Sequence, residues 1–432
     1  MAFTSTDVVE VRAWGRTVGA VARIPGTRGL SFEFDPEWVR GGLQISPMSM
    51  PLEMRRTYRY PGLNPDTWHD LPPAIADSLP DKFGNAIINA EFARRGAEIG
   101  EATALDRLVY TGSRAMGALE FVPDDGPRTP PPTMVDIGEL VTVARDVVAG
   151  RLGDEHESAA ALEQILSIGT SAGGARAKAV VNIDPVTNEI RPGQIATDGY
   201  ESWLLKFDGI GRDTELGTPQ EYGRIEYAYS LMARRAGIDM TETRLLEEGG
   251  RAHFLTRRFD RPGGVRRLHT QTLCALSVLD YNERGAHDYA QLFQAFDALG
   301  LDEKTRVQGY RRMVFNWMAA NCDDHTKNHS FVMDEQGAWS LSPAYDLTHA
   351  FNPNGDWTYQ HLMSVNGTFR DLTHSDLIRF AERHRVPGAR AVITEVAEAV
   401  DDWPEFAAQA GVSNETMRHT RDDFTITALT RR

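Results

Sequence analysis

The chain has 432 residues, 41% of them apolar and 25% charged, a globular composition with room for two or three domains. Its net charge is −15, from 61 acidic against 46 basic residues, which argues against a surface built to coat nucleic acid or anionic membrane. No apolar run reaches bilayer-spanning length, and Met1-Ala2-Phe3-Thr4-Ser5-Thr6-Asp7 lacks the basic and apolar regions of a signal peptide. The two cysteines, Cys274 and Cys322, sit in apolar helical context, so free thiols in a reducing, cytoplasmic location are expected.

Residues 8–34 alternate as strands do, with Leu30, Phe32 and Phe34 on one face, so the chain opens with a small sheet. Residues 66–118 read as helical. The Pro-rich run over 123–132 cannot sustain helix or central strand and reads as a boundary loop. A helix is expected over 135–166, a Gly-rich turn at 169–174, and strands at 179–183 and 202–207. Ile225, Tyr229, Met232 and Ala236 recur at steps of four, three and four, the mark of an amphipathic helix. Residues 254–259 form another strand candidate. Beyond about 270 the pattern is mostly helical, and Val307, Tyr310, Val314 and Trp317 share one helix face. These breaks divide the chain into a β-rich start with helices (1–134), a region with the Gly-rich turn (135–270) and a helical C-terminal part (271–432).

The chemistry concentrates in Asn321-Cys322-Asp323-Asp324-His325-Thr326-Lys327-Asn328, followed after an expected hairpin by Pro343-Ala344-Tyr345-Asp346-Leu347. Asp323 lies five residues before Asn328, the spacing of kinase catalytic loops, where the Asp faces the substrate hydroxyl and the Asn binds Mg²⁺. Asn328 offers a neutral oxygen and Asp346 a charged one, a set suited to a cation that keeps few protein ligands and takes phosphate oxygens. Lys327 can neutralise charge on the transferred group. Asp324 is one residue too close to Asn328 for this spacing. A competing reading takes His325 and His329 as a zinc pair with Asp323 or Asp324, but it leaves Asn328 without a role.

Upstream, Ser171, Ala172, Gly173, Gly174, Ala175 and Lys178 belong to a small-residue turn whose N–H groups can approach phosphate closely, or to a plain tight turn. Lys206 stands on an apolar strand, as a phosphate ligand or as an edge residue that snorkels. Glu226, on the following helix, can pair with it as a kinase helix Glu pairs with its strand Lys, or can face solvent. The strand through Arg258 and Phe259 would present backbone to adenine. The order of these motifs is that of a two-lobed kinase, with nucleotide expected between a strand-rich and a helix-rich half.

Together these residues resemble the HipA family of serine/threonine kinases, toxins of HipBA-type toxin–antitoxin pairs. The matching segments are 171–178, Leu204-Leu205-Lys206-Phe207, Arg258-Phe259-Asp260-Arg261, 322–330 and 343–347, with looser likeness in Phe34-Asp35-Pro36-Glu37-Trp38 and Leu79-Pro80-Asp81. The resemblance implies an α+β, protein-kinase-like fold with a small β-rich N-terminal subdomain and a mostly helical C-terminal lobe. It implies ATP and Mg²⁺ as cofactors, with Asp323, Lys327 and His325 in the catalytic loop and Asn328 and Asp346 on the metal. The nucleotide set it implies is Ser171, Ala172, Gly173, Gly174, Ala175, Lys178, Lys206, Glu226, Arg258, Phe259 and Asp260. Ser171 falls where family members autophosphorylate, with Ser167 and Thr170 as neighbouring hydroxyls. The implied partners are a protein substrate such as an aminoacyl-tRNA synthetase and a small helix-turn-helix antitoxin that binds operator DNA. A kinase-like co-repressor and a small-molecule or lipid kinase are the other readings open at this point.

Overall fold

The computed structural model describes residues 3–27, 29–52, 56–80, 82–98, 100–126, 138, 141, 177–193, 198–208 and 221–431. The Gly-rich turn and nearly all of the helix expected over 135–166 lie outside the described residues. Two compact units divide the chain. One comprises Met1–Arg212, Arg257–Gln271 and Val332–Ala338, and the other Asp213–Thr256, Thr272–Phe331 and Trp339–Arg432.

The first unit opens with the expected sheet: β1 (Val8–Ala13), β2 (Arg16–Arg23), β3 (Leu30–Phe34), β4 (Thr57–Tyr58) and β5 (Leu119–Val122) in the order β4-β3-β2-β1-β5. Trp14 and Gly15 both take positive φ (49° and 72°), the backbone that lets a two-residue loop follow the strand twist. Val9, Val11 and Ala13 point inward and are buried, as the period of two requires. Gly19 must be glycine, because a Cβ there would meet the Glu33 carbonyl oxygen at 2.2 Å.

The stretch expected to be helical over 66–118 is broken up. Its longer helices are α2 (Lys82–Arg94) and α3 (Ala104–Thr111), which follow α1 (Pro36–Gly41). His69 and Asp70 adopt positive φ and a Pro72-Pro73 pair follows, so helix cannot run through this segment. Residues 119–122 return as β5 along the edge of β1. A second antiparallel set, β6 (Lys178–Ile183), β7 (Ile190–Pro192) and β8 (Glu201–Lys206), runs in the order β7-β6-β8. Every residue of β6 is buried, Lys178 and Asn182 included.

The second unit holds α4 (Tyr222–Arg235), the hairpin β9 (Thr243–Glu248) and β10 (Arg251–Arg257), then α5 (Tyr289–Ala298) and α6 (Glu303–Met318). After these come α7 (His374–Arg383), α8 (Ala389–Asp401), α9 (Trp403–Ala410) and α10 (Asn414–Asp422). Helix α6 packs on α8, and α4 on α9. Tyr310, Val314 and Trp317 of the expected face are buried in this core, where Tyr229 meets Trp403 edge to face at 5.3 Å. Helix α6 stops because Ala320 turns left-handed (φ 51°). Thr425 takes over two of its last carbonyls, with N–H on Met318 O and Oγ1 on Trp317 O. The chain leaves this capped end straight into Asp323.

In the first unit, the segment 257–271 is tied to residues 45–46. His269 Nε2 donates to Ile45 O at 2.8 Å and Ser46 Oγ to Gln271 Oε1 at 2.8 Å. Burial, only partly offset by that carbonyl, pushes the imidazole down to about 4 from its ordinary 6.5. The folded state therefore keeps His269 neutral, while the unfolded chain takes up a proton below 6.5. Its stabilising share is complete above pH 6.5 and is lost as pH falls towards 4. Urea unfolding at pH 5 should show about 1–2 kcal/mol less stability than at pH 7 from this residue, and His269→Gln, which keeps an N–H for Ile45, should remove that difference.

Candidate active site

Asp323 and Asp324 leave the capped end of α6 side by side and meet opposite surroundings. The Asp324 side chain is 0% exposed and its oxygens are fully engaged. Tyr289 Oη (2.8 Å) and His361 Nδ1 (3.0 Å) donate to Oδ2, and the N–H groups of Leu362 (2.7 Å) and Met363 (3.3 Å) donate to Oδ1. A relay stands behind it, in which Asn321 Nδ2 donates to Asn316 Oδ1 and Asn316 Nδ2 to Tyr289 Oη. Burial works against the His361 imidazolium, but Cys322 and Asp324 beside the ring outweigh it and push its pKa well up. Asp324 and His361 thus form a buried, hydrogen-bonded ion pair, with Trp317 stacked on the imidazole at 3.9 Å. Asp324 is an anchor, with no oxygen left for chemistry.

Asp323 is the opposite. Its side chain is 41% exposed, with one donor on it, Trp357 Nε1 at 2.8 Å from Oδ1. Loss of solvation among the surrounding protein atoms raises its pKa above the ordinary carboxylate value, and the charges of Asp346 and Asp324 add to the rise. His325 (Nε2 3.8 Å away) and the Trp357 N–H pull the other way. The carboxylate is held at one oxygen and open at the other.

Asn328 closes the loop back on Asp323, with Nδ2 donating to the Asp323 carbonyl at 2.7 Å. Fixing the amide nitrogen fixes the amide oxygen as well, leaving it as an acceptor turned from that bond. The segment that carries Asp346 is stitched to the same loop. Tyr345 Oη donates to Lys327 O at 2.6 Å, Ser330 Oγ bonds the same Tyr345 hydroxyl, and Ser342 N donates to Ser330 O at 2.9 Å. Arg312 of α6 holds Ser342 O at 2.6 Å. Asp346 itself sits at φ 54°, a left-handed backbone that Asp tolerates and that clusters at functional sites. The expected metal pair, Asn328 and Asp346, offers an amide oxygen and a carboxylate, donors of the kind Mg²⁺ takes, and the Asp346 charge is felt by Asp323.

The zinc reading loses its geometry. His325 and His329 flank a 3₁₀ turn (Thr326–Asn328) in place of the α-helix that would put them on one face. His329 is buried against Tyr289, and among the described residues no group of three His, Cys, Asp or Glu is placed to hold a metal. Lys327 lies with Nζ 4.5 Å over the Tyr281 ring, which also meets His325 at 5.5 Å. Sequence reasoning missed Trp357, His361 and Tyr289, and quoted Tyr345 without giving it a role. No motif flags them, because each reaches the loop from a distant segment.

The other expected site residues fall as follows. Lys178 and Lys206 are direct cross-strand partners of β6 and β8, 2% and 8% exposed. Antiparallel partners face the same side, so two ammonium groups are concentrated on one sheet face. Glu226 is 1% exposed on α4, so the solvated alternative for it does not hold. Ser171, Ala172, Gly173, Gly174 and Ala175, with Ser167 and Thr170, lie outside the described residues. Phe259 is half-buried. Asp260 is completely buried between Arg258 (Nε 3.0 Å, Nη2 2.7 Å) and Arg261 (Nη1 2.6 Å), and also accepts the Gly117 N–H at 2.8 Å. Arg261 goes on to Ala115 O. Arg258 and Asp260 therefore act here as a structural clamp on residues 115–117, and the Asp260 carboxylate has no exposed face for a nucleotide.

Residues 9–122 match the HipA N-terminal domain, and residues 170–404, more than half of the chain, match the HipA-like C-terminal domain. The chain belongs to the HipA family. Among relatives of this HipA-family chain is the Sinorhizobium fredii protein named "Putative kinase Y4dM", 30% identical over 165 residues, which are 34% of this chain and 37% of that protein. Another is "Putative kinase Y4mE" of the same organism, 25% identical over 336 residues, 73% of this chain and 67% of that one. The chain thus spans well under half of the first relative. A chain of the solved Shewanella oneidensis MR-1 complex of HipA, HipB and operator DNA shares the fold, with a TM-score of 0.67, 16% identity, and coverage of 98% of this chain and 96% of that one. The α+β architecture, with a small sheet-rich start and a helical C-terminal part, is that of this family. Among the described residues, no helix is long and apolar enough to cross a membrane.

The clamp in this HipA-family chain is open to test. Burial alone would raise the Asp260 carboxyl, but Arg258 and Arg261 overcome it and hold it well below the usual range. Its contribution is therefore present above the ordinary Asp pKa and fades only in strong acid. Asp260→Ala leaves two buried guanidiniums without their anion and should cost about 3–5 kcal/mol at pH 7, read as a lower urea midpoint.

Proposed function

We propose that the chain is an ATP-dependent protein serine/threonine kinase, the toxin of a toxin–antitoxin pair. It would pass the γ-phosphoryl group of ATP to a protein Ser or Thr, an aminoacyl-tRNA synthetase being the target class, and to Ser171 of its own Gly-rich turn. The observation that carries this reading is the coupling of Asn328 to Asp323, with Asp346 drawn to the same loop through Tyr345. Kinase-named relatives support it.

In this reading the exposed oxygen of Asp323 orients the acceptor hydroxyl and takes its proton. A loose phosphoryl transition state asks mainly for positioning, so a carboxylate of modestly raised pKa suffices. Asn328 Oδ1 and the Asp346 carboxylate would hold Mg²⁺, which when bound would offset the negative charge of the phosphates. Lys178 and Lys206 supply the fixed cationic charge for nucleotide phosphates, and Lys327 and His325 line the loop beside Asp323. The solved relative is a complex with HipB and operator DNA. By that likeness a small helix-turn-helix antitoxin is the partner, and DNA is met through it, since a chain of net charge −15 repels phosphate backbone.

Incubation with Mg²⁺ and γ-labelled ATP should label the chain. Asp323→Ala should abolish labelling with an unchanged circular dichroism spectrum; labelling that persists in this variant removes Asp323 from its role. Lys206→Ala should weaken ATP binding by about 10–100-fold in calorimetry, the value of one charge-assisted contact. Unchanged affinity would take Lys206 out of the phosphate site.

A further inference from the structure

The hydrogen bond from Trp357 to Asp323 has no counterpart in the motif that announces the site, and it comes from a segment with a construction of its own. Residues 352–363 form a strap. At its start Asn352 folds a turn, with Oδ1 accepting Asn354 N (3.0 Å), its carbonyl accepting Gly355 N (3.1 Å) and its N–H reaching Thr358 O (3.3 Å). Arg284 holds the tip through the Asp356 carbonyl. At its end His361, Leu362 and Met363 all donate to Asp324, and Met363 and Ser364 pair in parallel with His287 and Asp288. The strap is pinned to one carboxylate and presents its tryptophan to the next residue in the chain.

We propose that Trp357 is a positioning residue for phosphoryl transfer: hung from the Asp324 anchor, its indole N–H holds Oδ1 of Asp323 so that Oδ2 is turned to the acceptor hydroxyl. This rests on the kinase reading of Asp323 given above. An indole N–H suits the task because it donates and cannot accept, so it fixes the carboxylate without competing for the acceptor's proton. A carboxylate 41% exposed and otherwise loosely held would sample several rotamers, and misplacing a catalytic group by about 1 Å can cost of order 100-fold. The neighbouring pair divides the labour. Asp324 is engaged by three donors of the strap and by Tyr289, and the strap turns its indole donor to Asp323.

Two measurements on the full chain test this. In a ¹H–¹⁵N spectrum the Trp357 indole signal is the one of eight tryptophan signals that Trp357→Phe removes. Asp323→Ala should move that signal upfield, and a signal that stays put would overturn the contact. In steady-state ATP hydrolysis and self-labelling with Mg²⁺-ATP, Trp357→Phe should lower kcat by about tenfold or more and leave KM for ATP unchanged. Trp357→His, which restores a ring N–H, should recover part of the loss, as filling space alone would not. A Trp357→Phe chain as fast as wild type, or faster because the indole had been blocking Asp323, overturns the positioning role. An inert wild-type chain sinks the kinase reading and the positioning role with it, whereas an active wild type beside an unaltered Trp357→Phe sinks only the latter.

Discussion

The adjacency of Asp323 and Asp324 is the constraint on which the rest of the site depends. Two carboxylates in consecutive residues repel each other, and each raises the cost of charging its neighbour. The chain resolves this by burying Asp324 in a complete set of donors, with His361 as counter-ion, and leaving Asp323 at the surface with one indole N–H. A buried carboxylate of this kind fixes its surroundings, because withdrawing any donor exposes an uncompensated charge. The segments that must be fixed here are the end of α6, the loop to Asn328 and the strap that carries Trp357. Asp324, which the kinase spacing leaves without a role, is the residue that holds them in register.

The loop itself was legible because its chemistry is local. Asp323 to Asn328 is a five-residue step, and the structure closes that step with a single hydrogen bond. The sheets were legible for a similar reason, since β1 to β3, β6 and β8 carry strand-like apolar positions, although the short β7 between the last two was not expected. What the sequence hid was non-local. Residues 119–122 look like the tail of a helical region, and only the edge of β1, more than a hundred residues earlier, makes them a strand. Trp357 and Tyr289 lie 34 and 35 residues from their Asp partners, with no spacing rule to connect them. The Arg258-Phe259-Asp260-Arg261 segment carries a structural role that its sequence does not announce: its side-chain charges pair with one another in the interior and secure a glycine backbone.

The lysines of β6 and β8 invert that lesson. Lys178 and Lys206 stand opposite each other on one sheet face and are almost buried, so their charges are concentrated in one place. Under the kinase reading proposed above, this concentrated positive charge would meet polyanionic phosphate, whose charge density matches it. Chain-wide charge points the same way. In a molecule of net charge −15, a local cationic face is a specific feature against a repulsive background, and that background discourages loosely bound anions elsewhere.

The amide of Asn328 separates magnesium chemistry from zinc chemistry more sharply than any count of acidic residues. An amide has one acceptor and one donor end, and here the donor end is committed to the Asp323 carbonyl. The remaining end is a hard, neutral oxygen. Such a ligand adds little to a site for zinc, which prefers imidazole and thiolate, but it suits a cation that must bind phosphate oxygens and then release them with the product. A third carboxylate at this position would bind the cation more tightly and would also repel the phosphates it has to bridge. In the proposed kinase reading Asn328 would tune the site towards a metal held jointly by protein and nucleotide, with the Tyr345 contact to Lys327 O tying the Asp346 segment to the same loop.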